Sequence, residues 1–405
     1  MRWFEGLSSK GIRPGLENIS TLLDDLGSPQ KGLRTIHVAG SDGKGSVCCM
    51  LESILSAAGF KVGMFTSPHI IRVNESIRIG GKDISDGELE KLLSDVRESY
   101  ESTGCGCTSF EVLTACALTA FRRGCVDVAI VEVGMGGRLD ATNVVEPEVT
   151  VINNISLEHT AYLGPTIREI SYEKAGIMKP GIPCVTMNVG DALDVIRERS
   201  EELGCPLTCV DPEDLDILRK DAGSLLIRYC SKTYCVGLPG GFQGRNAALA
   251  IETVRAMRDH EHIEHFIGIG LETAEWPCRM QKIAGLPLTV DVTHTKKGAE
   301  YLMRDVGDLY GKVTLVTAML SDKDLEGVAE LLSRIAVRVY VSAPDSPRAA
   351  DKDQLASFYR RYHDDVTVFD TVGDAVETAL KNEEMVLVTG SFRTAEDCLR
   401  WLGTR

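Results

Sequence analysis

Short apolar runs rich in β-branched residues alternate along this chain with longer segments of helical periodicity. In the first two thirds of the chain these runs predict strands at 35–40, 61–67, 126–134, 149–155 and 182–187. Apolar residues at helical spacing predict helices at 46–58, 109–122 and 244–260. This alternation is typical of a mostly parallel sheet covered by helices, so the sequence predicts an α/β fold.

The same pattern starts again near Trp276 and Pro277. Later apolar runs predict strands at 286–292, 312–319, 337–343, 366–371 and 385–391, again separated by helical segments. A chain of 405 residues that is 43% hydrophobic can fill two cores, and a single domain of this size would be unusual. We therefore predict two domains, residues 1–278 and 279–405, with a hinge near 276–285.

The first predicted strand breaks into a glycine loop, AGSDGKGSV, at residues 39–47. Its three glycines let successive backbone amides converge on phosphate oxygens, and Lys44 supplies a cation. Ser46 would then offer its hydroxyl to Mg²⁺. Because the spacing G-x-x-G-K-G-S differs from the common G-x-x-x-x-G-K-[ST] loop, a glycine-rich turn without a ligand remains the alternative.

Polar residues follow several of the predicted strands, where ligands gather in open α/β sheets. Ser67, Glu132 and His159 lie at or just after strand ends, and Lys174 follows in EKAGIMKPG. A hydroxyl, a carboxylate and an imidazole near a phosphate loop suit a Mg²⁺ site, although the imidazole is atypical. Taken singly, Glu132 is also consistent with a helix cap, His159 with a loop histidine, and Lys174 with a surface ion pair.

Composition narrows the functional classes. A net charge of −15 argues against broad binding to nucleic acid or to anionic membranes. No apolar run has the length of a signal-peptide core or a membrane span, so we expect a soluble, cytoplasmic protein. Thirteen scattered cysteines do not resemble a disulfide framework. Cys105 and Cys107 lack a second pair at zinc-ligand spacing, which argues against a metal site.

Several longer motifs together resemble the folylpolyglutamate synthase/dihydrofolate synthase family of the Mur ligase superfamily. They run in family order from about residue 11 to about residue 395 and include IHVAGSDGKGS, FTSPHI, SFEVLTACAL, VEVGMGGRLDATN, NNISLEHTAYLG, EKAGIMKPG, FQGRNAALA, WPCRMQ and VLVTGSF. The resemblance implies an N-terminal P-loop ATPase domain with a mostly parallel sheet. A smaller, Rossmann-like C-terminal α/β domain would follow it.

The resemblance also implies an activity. Enzymes of this family use ATP and Mg²⁺ to add L-glutamate to a folate or folate-like pterin through an acyl phosphate. It implies small-molecule substrates only, no nucleic acid or membrane partner, and a monomer. Two alternatives remain: a ligase of the same mechanism that acts on another carboxylate or amino acid, and a nucleotide-binding protein without catalysis.

The resemblance assigns roles to individual residues. It places the nucleotide at Gly40, Ser41, Asp42, Gly43, Lys44, Gly45, Ser46, Asn246, Arg279, Asp291 and His294. It places metal ions at Ser46, Ser67, Glu132, His159 and Lys174. Catalytic roles fall to Lys44, His159, Lys174, Arg279 and His294. It further implies that Lys174 is carbamylated, which would turn a cation into an anion able to orient a second Mg²⁺.

The chain departs from the family pattern at several positions. Glu158 stands where aspartate commonly precedes the metal histidine, and Cys278 replaces a glycine, so we expect the backbone there to avoid positive φ. In DVTHTKKG, Thr295 and Lys296 replace an Asn-Pro pair, which leaves the amino-acid specificity open. The adjacent lysines, Lys296 and Lys297, either meet an anionic substrate or begin a helix that faces solvent.

Overall fold

The computed structural model describes residues 2–7, 11, 13–381 and 384–404. Packing divides the chain into two compact units. The first comprises Met1–Leu215 and Arg245–Ala274, and the second Asp216–Gly244 and Glu275–Arg405. Both are α/β units, which confirms the predicted fold class. No helix in the described ranges is long and apolar enough to cross a bilayer.

The first part of the chain alternates strands and helices as the apolar pattern predicts. Its elements are α1 (Arg2–Gly6), α2 (Glu17–Asp25), β1 (Thr35–Ala39), α3 (Lys44–Ala57), β2 (Val62–Phe65), β3 (Ile77–Ile79), β4 (Lys82–Asp83), α4 (Asp86–Thr103), α5 (Ser109–Arg123), β5 (Val128–Glu132), β6 (Val149–Ile152), α6 (Thr160–Leu163), α7 (Ile167–Ala175), β7 (Cys184–Thr186), α8 (Gly190–Leu203) and β8 (Leu207–Cys209).

The rest of the chain contains further strands and helices. They are β9 (Leu215–Lys220), β10 (Leu225–Tyr229), β11 (Lys232–Val236), α9 (Phe242–Arg255), α10 (His260–Ile263), α11 (Ile267–Glu272), β12 (Gln281–Lys282), β13 (Leu288–Val290), α12 (Lys296–Tyr310), β14 (Val313–Thr317), α13 (Leu325–Ser333), β15 (Ala336–Val341), α14 (Lys352–Tyr359), β16 (Val366–Val368), α15 (Val372–Ala379), β17 (Val386–Thr389) and α16 (Phe392–Gly403). Each strand predicted from the sequence is present and shorter than predicted.

The sheet of the first unit places several strand ends at one edge. Within the described residues its order is β4-β3-β2-β5-β1-β6-β7-β8. Six of these strands run parallel to one another, namely β2, β5, β1, β6, β7 and β8. Strands β3 and β4 extend the sheet antiparallel at the β2 side. Val38 of β1 lies beside Glu132 of β5, and Phe65 of β2 lies beside Val131. The carboxyl ends of these strands therefore meet beside the glycine loop.

Helix α3 packs against strands β1, β2 and β5, and its residues from Gly45 to Leu55 are mostly buried. It also packs against α11 with very close backbone approach. A Cβ at Gly270 would lie 2.4 Å from Ile54 Cα, so only glycine fits there. This close packing fixes the helix that follows the glycine loop.

The second unit contains the sheet β12-β13-β17-β14-β15-β16 and the small sheet β11-β10-β9. Residues 216–244 belong to this unit, whereas the predicted boundary at 278 and 279 assigned them to the first domain. Lys220 of β9 explains the grouping, because its Nζ lies 2.6 Å from Asp305 Oδ1 on α12. Gly241 N also donates to Asp305 Oδ2, at 2.8 Å. The boundary between independently folding domains therefore remains a prediction.

A buried histidine in β1 should make stability depend on pH. His37 is fully buried, with Nε2 2.9 Å from Thr142 Oγ1, and burial together with the charge of Lys179 lowers its pKa to about 3. The unfolded chain therefore binds a proton that the folded chain excludes, and stability is lost as pH falls from about 6.5 towards 3, by about 1.4 kcal/mol per pH unit.

We expect the free energy of unfolding of the wild type to fall by about 2 kcal/mol more between pH 7 and pH 5 than that of His37→Gln. Denaturant titration at the two pH values measures this difference. His265→Gln, which removes an exposed histidine, serves as the control and should keep the wild-type pH dependence. Equal losses in wild type and His37→Gln would contradict a neutral His37.

Candidate active site

The glycine loop joins β1 to the N-terminus of α3. Gly43 is the N-cap residue, with φ 77° in the left-handed region. A Cβ at this position would lie 2.6 Å from Asn246 Oδ1 and 2.7 Å from Asn153 Nδ2. Both the backbone conformation and the lack of space therefore require glycine. The loop's backbone leads directly into a buried 14-residue helix, whose N-terminus favours a bound anion.

Two asparagines hold this loop from the side. Asn153 Nδ2 donates to Asp42 O at 3.0 Å and to Asn246 Oδ1 at 2.9 Å. Asn246 lies on α9, so the structure brings this predicted nucleotide residue to the glycine loop. Asp42 Oδ2 is buried without a hydrogen-bond partner in the described part of the chain, which leaves the loop an acceptor that suits a hydrated cation.

Lys44 and Lys174 both reach the start of the loop. Lys44 Nζ donates to Gly40 O at 3.1 Å and to Ser41 O at 3.2 Å. Lys174 Nζ donates to the same Gly40 carbonyl at 2.8 Å, although the two lysines are 130 positions apart in the chain. The structure therefore concentrates positive charge at the phosphate loop.

Lys174 is buried and forms an ion pair with Glu158, whose Oε1 lies 2.7 Å from its Nζ. Burial lowers the pKa of the Lys174 ammonium, and the charge of Glu158 opposes that shift. Burial also opposes ionisation of Glu158, but the charges of Lys174 and Lys44 outweigh it and lower the pKa of its carboxyl to about 2. Lys174 is therefore a buried group beside the loop and not part of a surface ion pair.

Glu132 and Ser67 meet at the ends of β5 and β2. Glu132 is buried, and its Oε2 accepts a hydrogen bond from Ser67 N at 3.2 Å. Ser46, on the first turn of α3, is also buried. These oxygen atoms are the ligands that Mg²⁺ prefers. The neighbouring strands β5 and β2 thus bring Glu132 and Ser67 together.

The other predicted metal residue, His159, is more open. Its side chain is 40% exposed, and its Nε2 lies 3.9 Å from Glu158 Oε2. In the described part of the chain, no group of three or more His, Cys, Asp and Glu residues is arranged to hold a metal ion.

Asp140 organises the glycine turn after β5. Its Oδ2 accepts from Met135 N at 2.9 Å, and its Oδ1 accepts from Thr142 N at 3.0 Å. The glycine turn also holds α7, because Arg138 N donates to Glu173 O at 2.8 Å. Asp140 thereby fixes the helix that carries Lys174, a role that the sequence analysis did not assign to it.

The second unit brings Arg279 and His294 together at Phe392. The Arg279 guanidinium lies 5.2 Å from the centre of the Phe392 ring, and the His294 ring centre lies 5.9 Å from it. Asp291 is buried and binds the backbone, accepting from Met280 N at 2.9 Å and from Thr293 N at 2.7 Å. Phe392 ends the VLVTGSF motif, but the sequence analysis gave it no role of its own.

The expectation that the backbone at Cys278 avoids positive φ was wrong. Cys278 has φ 55° and Met280 has φ 47°. Hydrogen bonds compensate for this unfavourable conformation: Cys278 N donates to Gln281 Oε1 at 2.9 Å, and Met280 N donates to Asp291. A non-glycine residue in this region costs about 1–2 kcal/mol. The segment thus keeps the glycine-like turn without the glycine.

The two lysines of DVTHTKKG begin a helix. Thr295 caps α12, and Lys296 is its first residue. Lys297 Nζ lies 2.6 Å from Glu300 Oε2 and 5.2 Å from the centre of the Tyr301 ring. Of the two interpretations, the structure favours the exposed start of a helix.

Comparison with known proteins identifies the family. Residues 38–254 match the Mur ligase middle domain, and residues 278–392 match the Mur ligase glutamate ligase domain. The Bacillus subtilis (strain 168) dihydrofolate synthase/folylpolyglutamate synthase is 35% identical over 421 residues, which cover 98% of this chain and 96% of that protein. The chain belongs to the dihydrofolate synthase/folylpolyglutamate synthase family of Mur ligases.

Solved structures of this family match the whole fold. Escherichia coli FolC in complex with DHPP and ADP is 32% identical, with a TM-score of 0.88 over 100% of this chain and 97% of that one. A bifunctional folylpolyglutamate synthase/dihydrofolate synthase with Mn, AMPPNP and L-glutamate bound is 30% identical, with a TM-score of 0.85 over 99% and 97% of the two chains. Family membership thus extends over both units.

Proposed function

We propose that this chain is an ATP-dependent ligase that joins the amine of L-glutamate to a carboxylate of a folate or folate-like pterin. The observation that carries the proposal is the phosphate loop on which Lys44 and Lys174 converge at one carbonyl, that of Gly40. The related structures, which hold DHPP with ADP and Mn with AMPPNP and L-glutamate, support the same ligands here.

The loop would bind the phosphates of ATP. Its backbone amides and the N-terminus of α3 favour a bound anion, and the Lys44 ammonium lies at the same loop. Transfer of the terminal phosphoryl group to the acceptor carboxylate gives an acyl phosphate, which the amine of glutamate attacks with release of phosphate. Positively charged groups held in place accelerate both steps by stabilising charge that develops in the transition state.

The oxygen atoms of Ser46, Ser67 and Glu132 would hold Mg²⁺ that enters with ATP. When bound, Mg²⁺ neutralises phosphate charge and polarises the transferred group. Asn153 and Asn246 keep the loop in the conformation that the phosphates need. In the second unit, Phe392 would hold in place the side chains of Arg279 and His294, to which the family resemblance assigns nucleotide roles.

Release of phosphate from ATP and Mg²⁺ tests the proposal. The purified protein is given glutamate together with dihydropteroate, tetrahydrofolate or a reduced modified pterin. We expect release that requires both glutamate and a folate acceptor, with a product heavier by one glutamyl unit. Release that needs another carboxylate or amino acid would favour the related ligase activity. Binding of ATP with no release under any condition would favour a non-catalytic protein.

We further infer a monomeric enzyme of the cytoplasm. All thirteen cysteines lie in the described part of the chain and none forms a disulfide, which fits a reducing compartment. Light scattering during gel filtration measures the oligomeric state, and the mass of a dimer would contradict this inference.

A further inference from the structure

Two cysteine sulfurs lie close together in the loop between α4 and α5. The Sγ atoms of Cys105 and Cys107 are 3.3 Å apart. Cys105 is partly exposed, whereas Cys107 is buried. The residue between them, Gly106, has φ 70°, and no atom would lie within 4 Å of a Cβ there. Since a disulfide bond is about 2.05 Å long, the sulfurs need to approach by only about 1.3 Å.

Many other cysteines of the chain are protected from this chemistry. Burial raises the pKa of the Cys184 and Cys398 thiols to about 12. Because the thiolate is the reactive form of cysteine, these side chains react slowly with oxidants. Cys125 and Cys209 are exposed and provide an internal comparison. The pair at 105 and 107 combines an accessible sulfur with a second sulfur next to it.

The pair is joined directly to the start of α5. Cys107 precedes Thr108, the N-cap residue, whose Oγ1 accepts from Glu111 N at 3.3 Å. Thr108 N in turn donates to Glu111 Oε2 at 2.8 Å, which completes a reciprocal capping box. A shift of the Cys107 backbone therefore acts on the hydrogen bonds that begin this helix.

The first turn of α5 reaches the candidate site through Phe110. A Cβ at Gly134, two residues after Glu132, would lie 2.5 Å from the Phe110 ring. The Phe110 ring centre lies 5.8 Å from that of Phe65, which ends β2 two residues before Ser67. Phe110 therefore packs against both strand ends that carry the proposed Mg²⁺ ligands.

We propose that Cys105 and Cys107 are a redox-active dithiol whose oxidation to an intramolecular disulfide loosens the start of α5 and lowers the ligase activity. The oxidant is a small disulfide such as oxidised glutathione. The Cys105 thiolate attacks one glutathione sulfur and releases the first glutathione. The Cys107 thiolate then attacks the Cys105 sulfur and releases the second, so that two thiols are oxidised and one glutathione disulfide is reduced to two thiols.

The effect on activity rests on the proposed function, whereas the disulfide and the loosening of α5 do not. Because a misplacement of about 1 Å near reacting groups can cost about 100-fold in rate, we expect oxidation to lower glutamate-dependent phosphate release by roughly tenfold. Reduction with dithiothreitol should restore it. The Cys105→Ser variant should keep its activity in the oxidant, and Cys209→Ser should behave as the wild type.

Peptide mapping tests the disulfide itself. The full chain is equilibrated with mixtures of oxidised and reduced glutathione, denatured, alkylated with a maleimide and digested with trypsin, which releases residues 98–122. Compared with the peptide from reduced protein, we expect the peptide from oxidised protein to lack two hydrogens and to carry a maleimide on Cys116 only. In Cys107→Ser, which lacks the resolving thiol, glutathione should remain attached to Cys105.

Hydrogen exchange tests the loosening of α5 without any assay of activity. Backbone amides 109–113 should exchange faster in the oxidised wild type than in the reduced one, and equally in oxidised and reduced Cys105→Ser. The proposal is overturned if Cys105 and Cys107 are still alkylated by the maleimide, and were therefore still reduced, at glutathione ratios that oxidise Cys125 and Cys209. A disulfide that forms without faster exchange would overturn the link to α5, whatever substrate the enzyme uses.

Discussion

Lys44→Ala should lower glutamate-dependent ATP turnover by at least about 100-fold, because removing one preorganised group that stabilises transition-state charge typically costs that much. Lys44 is the first residue of α3, and its ammonium lies against the loop carbonyls of Gly40 and Ser41. Phosphate release measures the loss. A Lys44→Arg variant tests whether charge alone suffices, and we expect only partial activity because guanidinium and ammonium differ in shape.

The control for this experiment is Lys91→Ala, which removes an exposed lysine on α4 and should leave turnover unchanged. Thermal unfolding of both variants shows whether the first unit remains folded. Besides donating to two loop carbonyls, Lys44 helps to keep the Glu158 carboxyl ionised, so its loss should lower stability somewhat. Unchanged turnover in a folded Lys44→Ala protein would contradict the assignment of residues 40–46 as the phosphate loop.

Local signals explain why the glycine loop and the strands around it were predictable. Each strand is a short apolar run, and the loop requires glycine at Gly43 for a left-handed φ and for space beside Asn246. Such requirements are visible in the sequence because they act on single residues. The order of the strands was not visible, since it depends on contacts between distant segments.

Some features that the sequence analysis missed are non-local or very short, but longer elements were missed too: helix α4, with 18 residues, and strands β9, β10 and β11, with five or six residues each. Strands β3, β4 and β12 have two or three residues, too few for an apolar period. Lys220 joins the second unit through an ion pair with Asp305, 85 positions away, which no local pattern indicates. Glu158 was read only as a departure from the family, whereas its contact with Lys174 gives it a defined electrostatic role.

Lys174→Ala should also lower turnover by at least about 100-fold, because it removes a group held at the phosphate loop. The substitution leaves Glu158 without its 2.7 Å partner and Gly40 O without one donor. Lys179→Ala, on the loop after the same helix, is the comparison and should retain most activity. If Lys174 acts as a carbamate, a small carboxylate such as formate or acetate should partly restore turnover in Lys174→Ala.

Carbamylation can also be observed without measuring activity. The neutral Lys174 amine would add to CO₂ and release a proton, which places an anion beside the Glu158 carboxylate. Two anions this close repel each other unless a cation lies between them. We therefore expect a carbamate signal in carbon-13 NMR with labelled bicarbonate that grows when Mg²⁺ and a nucleotide are added.

Glu158→Gln separates these effects, because it removes one of the two negative charges and keeps the shape of the side chain. In this variant we expect a strong carbamate signal without Mg²⁺, whereas in the wild type the signal should be weaker without Mg²⁺ and grow when Mg²⁺ is added. A Lys174→Ala protein should give no such signal. Absence of the signal in wild type and in Glu158→Gln, together with no rescue of Lys174→Ala by carboxylates, would contradict carbamylation. Lys174 would then act as a buried cation that holds the phosphate loop through Gly40.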